Sequence, residues 1–314
     1  MDWEVLACPQ CSAPLPRVAT WRSVRCPACG SMVMRSVKMV RREAFSDALR
    51  RARQGMDAAS SRQIVCGGVG YALLESLGRG AASEVHLARR LGPTPLLVTL
   101  KLSLSAAAAD PLAREAKVLR ELRAVDGAEG VYAAEQLPEV IAWVPVDDGS
   151  GRRALVLRHP SGYWGSLAAL SGRFPEGIDP RHSVWIWRRL LGILSFIHGL
   201  GWSHGDVRPE HALVHPQDHG VRLIGWADAR GNAPPPAKAA DLMRSARVVH
   251  VLLAGSNGPE ALPSRVPSVL GSLISRAGGD EAFCNEQGAP GLEALLLAAA
   301  RDAFGPPAFV PLVL

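Results

Sequence analysis

Apolar residues fall at helical spacing in three stretches of this chain and in short continuous runs elsewhere. Ala44, Ala48, Leu49 and Ala52 give a short, weakly apolar helical face over Glu43 to Gln54. Leu112, Ala116, Leu119 and Leu122 predict a helix that opens at Asp110-Pro111, with the carboxylate as cap and proline in the first turn. Val184, Trp187, Leu190, Leu191, Leu194 and Ile197 predict a long helix from His182 to Leu200, closed by Gly199 and Gly201. Leu96 to Leu102 and Ala154 to Leu157 are instead unbroken apolar runs of strand length.

An apolar content of 48% over 314 residues suits one large domain with a small appendage. The longest apolar stretches, such as Leu292 to Ala300, are interrupted by Glu293 and fall short of the ~18 to 20 residues that cross a bilayer. Met1-Asp2-Trp3-Glu4 is acidic where a secretion signal is basic, so the expected location is cytoplasmic, with no membrane partner.

Charge and cysteine position change this picture at the N-terminus. Residues 1–62 hold eleven Lys/Arg against five Asp/Glu, so the whole excess of +6 lies there and the remainder is balanced. Cys8-Pro9-Gln10-Cys11 and Cys26-Pro27-Ala28-Cys29, with fourteen residues between them, have the spacing of paired knuckles that hold one zinc ion in four thiolates. Two disulfides are the competing expectation, which an intracellular chain disfavours. Four thiolates fill the tetrahedron, so the zinc would be structural and its binding would supply folding energy. The arginines that follow, from Arg35 to Arg62, make either a solvated linker helix or a surface for nucleic acid or an acidic partner. Cys66 and Cys284 lack a ligand-like neighbourhood and are expected to be buried thiols.

The motifs of the remaining chain are similar to those of eukaryotic-type protein kinases. Leu77-Gly78-Arg79-Gly80-Ala81-Ala82-Ser83-Glu84-Val85 resembles the glycine-rich loop, with Ser83 for its third glycine. Val98-Thr99-Leu100-Lys101 resembles the strand that carries the phosphate-contacting lysine, and Glu115 stands where the family places that lysine's carboxylate partner. Arg158-His159-Pro160 follows an apolar strand where the family has its hinge, so backbone groups near Arg158 and His159 would face an adenine. His204-Gly205-Asp206-Val207-Arg208-Pro209-Glu210-His211 resembles the catalytic loop, and Leu223-Ile224-Gly225-Trp226-Ala227 the metal-binding motif after it. Asp241 would open the helix that braces the loop.

The resemblance implies an α+β, two-lobed fold with a small β-rich N-lobe and a helical C-lobe. Its expected boundaries are a zinc ribbon at 1–34, a basic linker helix at 35–66 and a kinase-like domain at 67–314, divided near residue 157. ATP is the implied ligand, through Gly78, Gly80, Ser83, Val85, Lys101, Arg158 and His159. Magnesium is not implied in the usual way, because His211 replaces the metal-binding Asn and Gly225 the metal-binding Asp. Asp206 would then be a vestigial base. The expectation is a pseudokinase that regulates or scaffolds a protein partner. The alternative is an atypical Ser/Thr or small-molecule kinase with its metal displaced toward Asp228.

Overall fold

Alternation along one strand sets the first part of the fold. From Leu96 to Leu102 every second residue is buried, so Val98, Leu100 and Leu102 face a core while Thr99 and Lys101 point the other way. The computed structural model describes residues 4–5, 8, 15, 24–26, 32–33, 40–41, 62–92, 96–126, 136–160, 162–216, 219–255 and 261–314. They divide into two units, residues 1–120 with 138–162 and residues 121–137 with 163–314.

The first unit opens with two short antiparallel pairs, β1 (Glu4–Val5) with β4 (Val40–Arg41) and β2 (Val24–Arg25) with β3 (Met32–Val33). Its main sheet has β5 (Gln63–Cys66), β6 (Val69–Arg79), β7 (Ser83–Arg90), β8 (Leu96–Ser103), β9 (Val140–Pro145) and β10 (Arg153–Arg158). The spatial order is β5-β6-β7-β8-β10-β9 and every pairing is antiparallel. Two register shifts in β6, near Leu73/Glu75 and Ser76/Gly78, add twist and curl the sheet. The sheet starts at Gln63, inside the stretch expected to be linker, and the expected basic helix at Glu43 to Gln54 lies outside the described residues.

Helix α1 (Asp110–Arg123) buries Leu112, Ala116, Leu119 and Leu122, as the spacing predicts. Its start differs. A 3-10 turn at Ala107–Ala109 leads into it and Asp110 already has helical angles, because the alanine run before it favours helix and extends the turn upstream.

In the second unit, β11 (Gly165–Ser166), β12 (Ala212–His215) and β13 (Gly220–Leu223) form a small antiparallel sheet. Helices α2 (Leu167–Arg173), α3 (Pro180–Gly199), α4 (Pro235–Ala254), α5 (Ser268–Gly279) and α6 (Glu281–Phe304) make up the rest. Ser166 Oγ accepts from Ala169 N to cap α2, and Asp179 Oδ1 accepts from Arg181 N to cap α3. The core joins Trp187, Leu190, Leu194 and Ile197 of α3 to Leu242, Val249 and Leu253 of α4, Leu270 of α5 and Leu292 of α6, all buried. Trp187 Nε1 donates to Ser245 Oγ at 3.0 Å, so its one polar atom is satisfied in that core.

Two details bear on function. Pro235 and Pro236 sit in the first turn of α4, where a missing N–H costs nothing, so the segment joining Gly225 to this helix is only residues 226–234. Beyond α6 the chain carries no regular structure and is tied down by rings: His219, in the turn before β13, stacks on Trp185 and on Phe309, each at 4.3 Å between centroids, and its Nε2 donates to Val310 O at 2.8 Å. No described helix is long and apolar enough to cross a membrane.

Candidate functional site

In the first unit, strand pairing sets Lys101 between Val85 of β7 and Leu155 of β10, on the face opposite the sheet core. Lys101 Nζ donates to both carboxylate oxygens of Glu115 at 2.7 Å, and the two side chains are only 13% and 3% exposed. So dry a pair holds each charge for the other, and removing one partner strands the second. Gly78 lies opposite Val85 at the end of β6 with φ +155, and a Cβ built on it meets nothing within 4 Å. Gly80 N donates to Ser83 O at 2.8 Å and closes the hairpin. The predicted loop glycines, Ser83, Val85, Lys101 and Glu115 are thus drawn together by three neighbouring strands and α1.

Arg158 and His159, at the end of β10, are bound into the same unit. Arg158 N–H donates to Glu139 O at 2.9 Å, and its guanidinium makes a two-pronged pair with the Glu139 carboxylate at 2.9 and 3.1 Å. His159 N–H donates to Leu97 O at 3.3 Å, and its Nδ1 lies 3.0 Å from Thr99 Oγ1.

The second unit holds the loop that carries Asp206. Fully buried Asp241 of α4 accepts from the backbone N–H of His204 at 2.7 Å and of Gly205 at 2.9 Å, and lies 3.2 Å from His198 Nε2. Asp206 N–H donates to His204 Nδ1, so the His204 proton sits on Nε2, which donates to Ile224 O at 3.1 Å. Burial pushes the His204 pKa down to about 4, with Asp241 opposing it, and the ring is neutral. Gly205 has φ +82, and a Cβ there would come within 2.5 Å of the Asp228 carbonyl oxygen, so the loop packs backbone to backbone against residues 228–230. Arg244 Nη1 donates to Gly205 O. That guanidinium arrives from α4, and no local sequence signal announces it.

His211 and Gly225 form one packing unit. Gly225 has φ +77, and a Cβ on it would lie 2.7 Å from His211 Nδ1 and 2.8 Å from Cε1. The imidazole occupies the space in which a side chain at 225 would begin. His211 Nδ1 is 3.1 Å from both the Asp206 carbonyl oxygen and Asp206 Oδ2, while Arg208 Nη2 donates to Nε2 at 3.2 Å. A neutral ring with its proton on Nδ1 satisfies all three contacts. Arg208 Nε lies 3.4 Å from the same Asp206 oxygen. The Asp228 side chain is exposed, in a 3-10 turn at Trp226–Asp228.

No protein-family model matches the chain, and no curated protein matches it. Among solved structures, the crystal structure of the BubR1 kinase domain superposes with a TM-score of 0.58 over 82% of this chain and 91% of that one, at 12% identity. The fold is protein-kinase-like. At that identity the likeness speaks for architecture alone, and it accords with the curled sheet in the first unit and the helices of the second.

A magnesium ion in the manner of a kinase does not fit the residues of this kinase-like loop. Gly225 has no side-chain oxygen to give, and both nitrogens of His211 are taken by Asp206 and Arg208. At the N-terminus, Cys8 and Cys26 are each 1% exposed and pack with Leu15 and Val33, while Cys11 and Cys29 lie outside the described residues. Among the described residues no group of three or more His, Cys, Asp or Glu has the makings of a metal site.

Proposed function

We propose that this chain is a pseudokinase: a kinase-like regulatory or scaffolding protein that engages a protein partner and holds a nucleotide without transferring its phosphate. The observation that carries this is the imidazole of His211 seated in the Gly225 hollow. Phosphoryl transfer asks the protein mainly for positioning and for neutralising charge on the phosphate oxygens, a task shared with a divalent cation. If the cation's share is about 4 to 6 kcal/mol, losing it slows turnover by roughly 10³ to 10⁴. Asp206, the residue in the base position, is engaged by His211 and Arg208, which suits a structural part.

The nucleotide part of the proposal rests on the Lys101–Glu115 pair and the open glycine hairpin. The N-terminal module is proposed to be a zinc ribbon built by Cys8, Cys11, Cys26 and Cys29, with the basic stretch after it as part of the partner-binding surface.

Thermal unfolding of the full chain with ATP, with and without magnesium, tests the central point. Stabilisation by ATP that is indifferent to magnesium, with no label transferred from γ-labelled ATP to protein or small acceptors, is the expected result. Label transfer that requires magnesium and stops in Asp228→Asn would overturn it in favour of a displaced metal site.

A further inference from the structure

We infer that the nucleotide site is blind to the base, and that its ligand class is the polyphosphate itself. This rests on the nucleotide part of the proposal above. The phosphate side of the first unit is open: no atom crowds a Cβ at Gly78, the nearest to one at Gly80 is Ser83 O at 3.9 Å, and Lys101 stands one strand away.

On the base side, the backbone donors of residues 158–160 are spent or missing. An adenine presents acceptor nitrogens on its ring edge, so reading it takes a backbone N–H. At the end of β10 the Arg158 N–H is spent on Glu139 O and the His159 N–H on Leu97 O. Pro160 has no N–H to give. The side chains are committed too, Arg158 to Glu139 and His159 to Thr99. These ties pin residues 158–159 to β8 and to Glu139, so freeing either of these two donors means breaking sheet hydrogen bonds. A carbonyl here can still accept from an exocyclic amine, but adenine, guanine and cytosine all carry one. One lost hydrogen bond amounts to about two- to thirteenfold in affinity, which is the margin by which this site fails to prefer adenine.

Isothermal titration of the full chain with ATP, GTP and sodium tripolyphosphate, in buffer without added magnesium or chelator, is the test. The three dissociation constants are expected within about threefold of one another, less than one hydrogen bond's worth. Lys101→Gln, which keeps a donor for Glu115, and Gly80→Ala, whose Cβ meets nothing closer than Ser83 O at 3.9 Å, are each expected to weaken all three by about tenfold or more, the scale of one charge-assisted contact. ATP binding more than tenfold tighter than GTP and tripolyphosphate would overturn the inference while leaving the nucleotide proposal standing. Binding unchanged in both variants would overturn the assignment to this hairpin. No binding of any of the three at millimolar concentration would overturn the inference together with the nucleotide proposal.

Discussion

At the scale of single residues, the decisive pair is His211 and Gly225. Placing Asp at 225 forces an L residue to φ +77 and drives a Cβ into the imidazole. Left-handed backbone costs about 1 to 2 kcal/mol and overpacking about 1 to 3, so Gly225→Asp alone is expected to lower unfolding free energy by roughly 2 to 5 kcal/mol in urea titrations. Combining it with His211→Asn removes the collision, and the double variant should lose about 1 kcal/mol or more less than the sum of its parts. Additive losses would show that the ring does not fill that space. The Lys101–Glu115 pair gives a second case. Lys101→Met is expected to cost about 3 to 5 kcal/mol by stranding a buried carboxylate, and Lys101→Met with Glu115→Leu to recover part of it, read by the same titrations.

At the scale of elements, the stack of Trp185, His219 and Phe309 joins α3, the turn before β13 and the C-terminal tail. An aromatic pair is worth about 0.5 to 1.5 kcal/mol beyond its buried area, so Phe309→Ala should raise hydrogen exchange in residues 305–314 while leaving that of α3 unchanged. Unaltered exchange in the tail would mean that the ring is not its anchor. These elements also show what could be read from the sequence and what could not. The helical spacing of α1 and α3, the apolar runs of β8 and β10 and the Lys101–Glu115 register are local or near-local patterns, and the described chain carries them where they were expected. The substitutions at 211 and 225 could be read one by one, but their interlocking could not, because it depends on a left-handed turn that brings two distant positions into one volume. Arg244 on the Gly205 carbonyl was equally out of reach, since that contact spans two elements with no shared motif. Asp241, expected to open its helix, lies inside α4 instead, because the helix starts at Pro235 and a first helical turn does not need the N–H groups that its prolines lack.

At the scale of the whole molecule, stability should follow two buried histidines. Burial pushes both His204 and His215 down to about 4 from the ordinary 6.5. Between those values the unfolded chain binds protons that the folded one refuses. Their contribution is therefore complete above pH 6.5 and is lost as pH falls toward 4. At pH 5 each is expected to have cost on the order of 2 kcal/mol, visible as a drop in Tm between pH 7 and pH 5. A Tm that holds steady over that interval would mean that the rings are more open to water than their burial indicates. The zinc proposal concerns the other end of the chain. Metal analysis of purified protein should give one zinc per chain, lost on Cys11→Ser or Cys29→Ser, with exchange protection lost around Cys8 and Cys26 but not in α3. The seat that His211 has taken beneath Gly225 also sets the order in which the two positions can be redesigned. Introducing a carboxylate at 225 first gives a poorly folded form, and withdrawing the ring first leaves a hollow with nothing to fill it, so the two must be exchanged in one step.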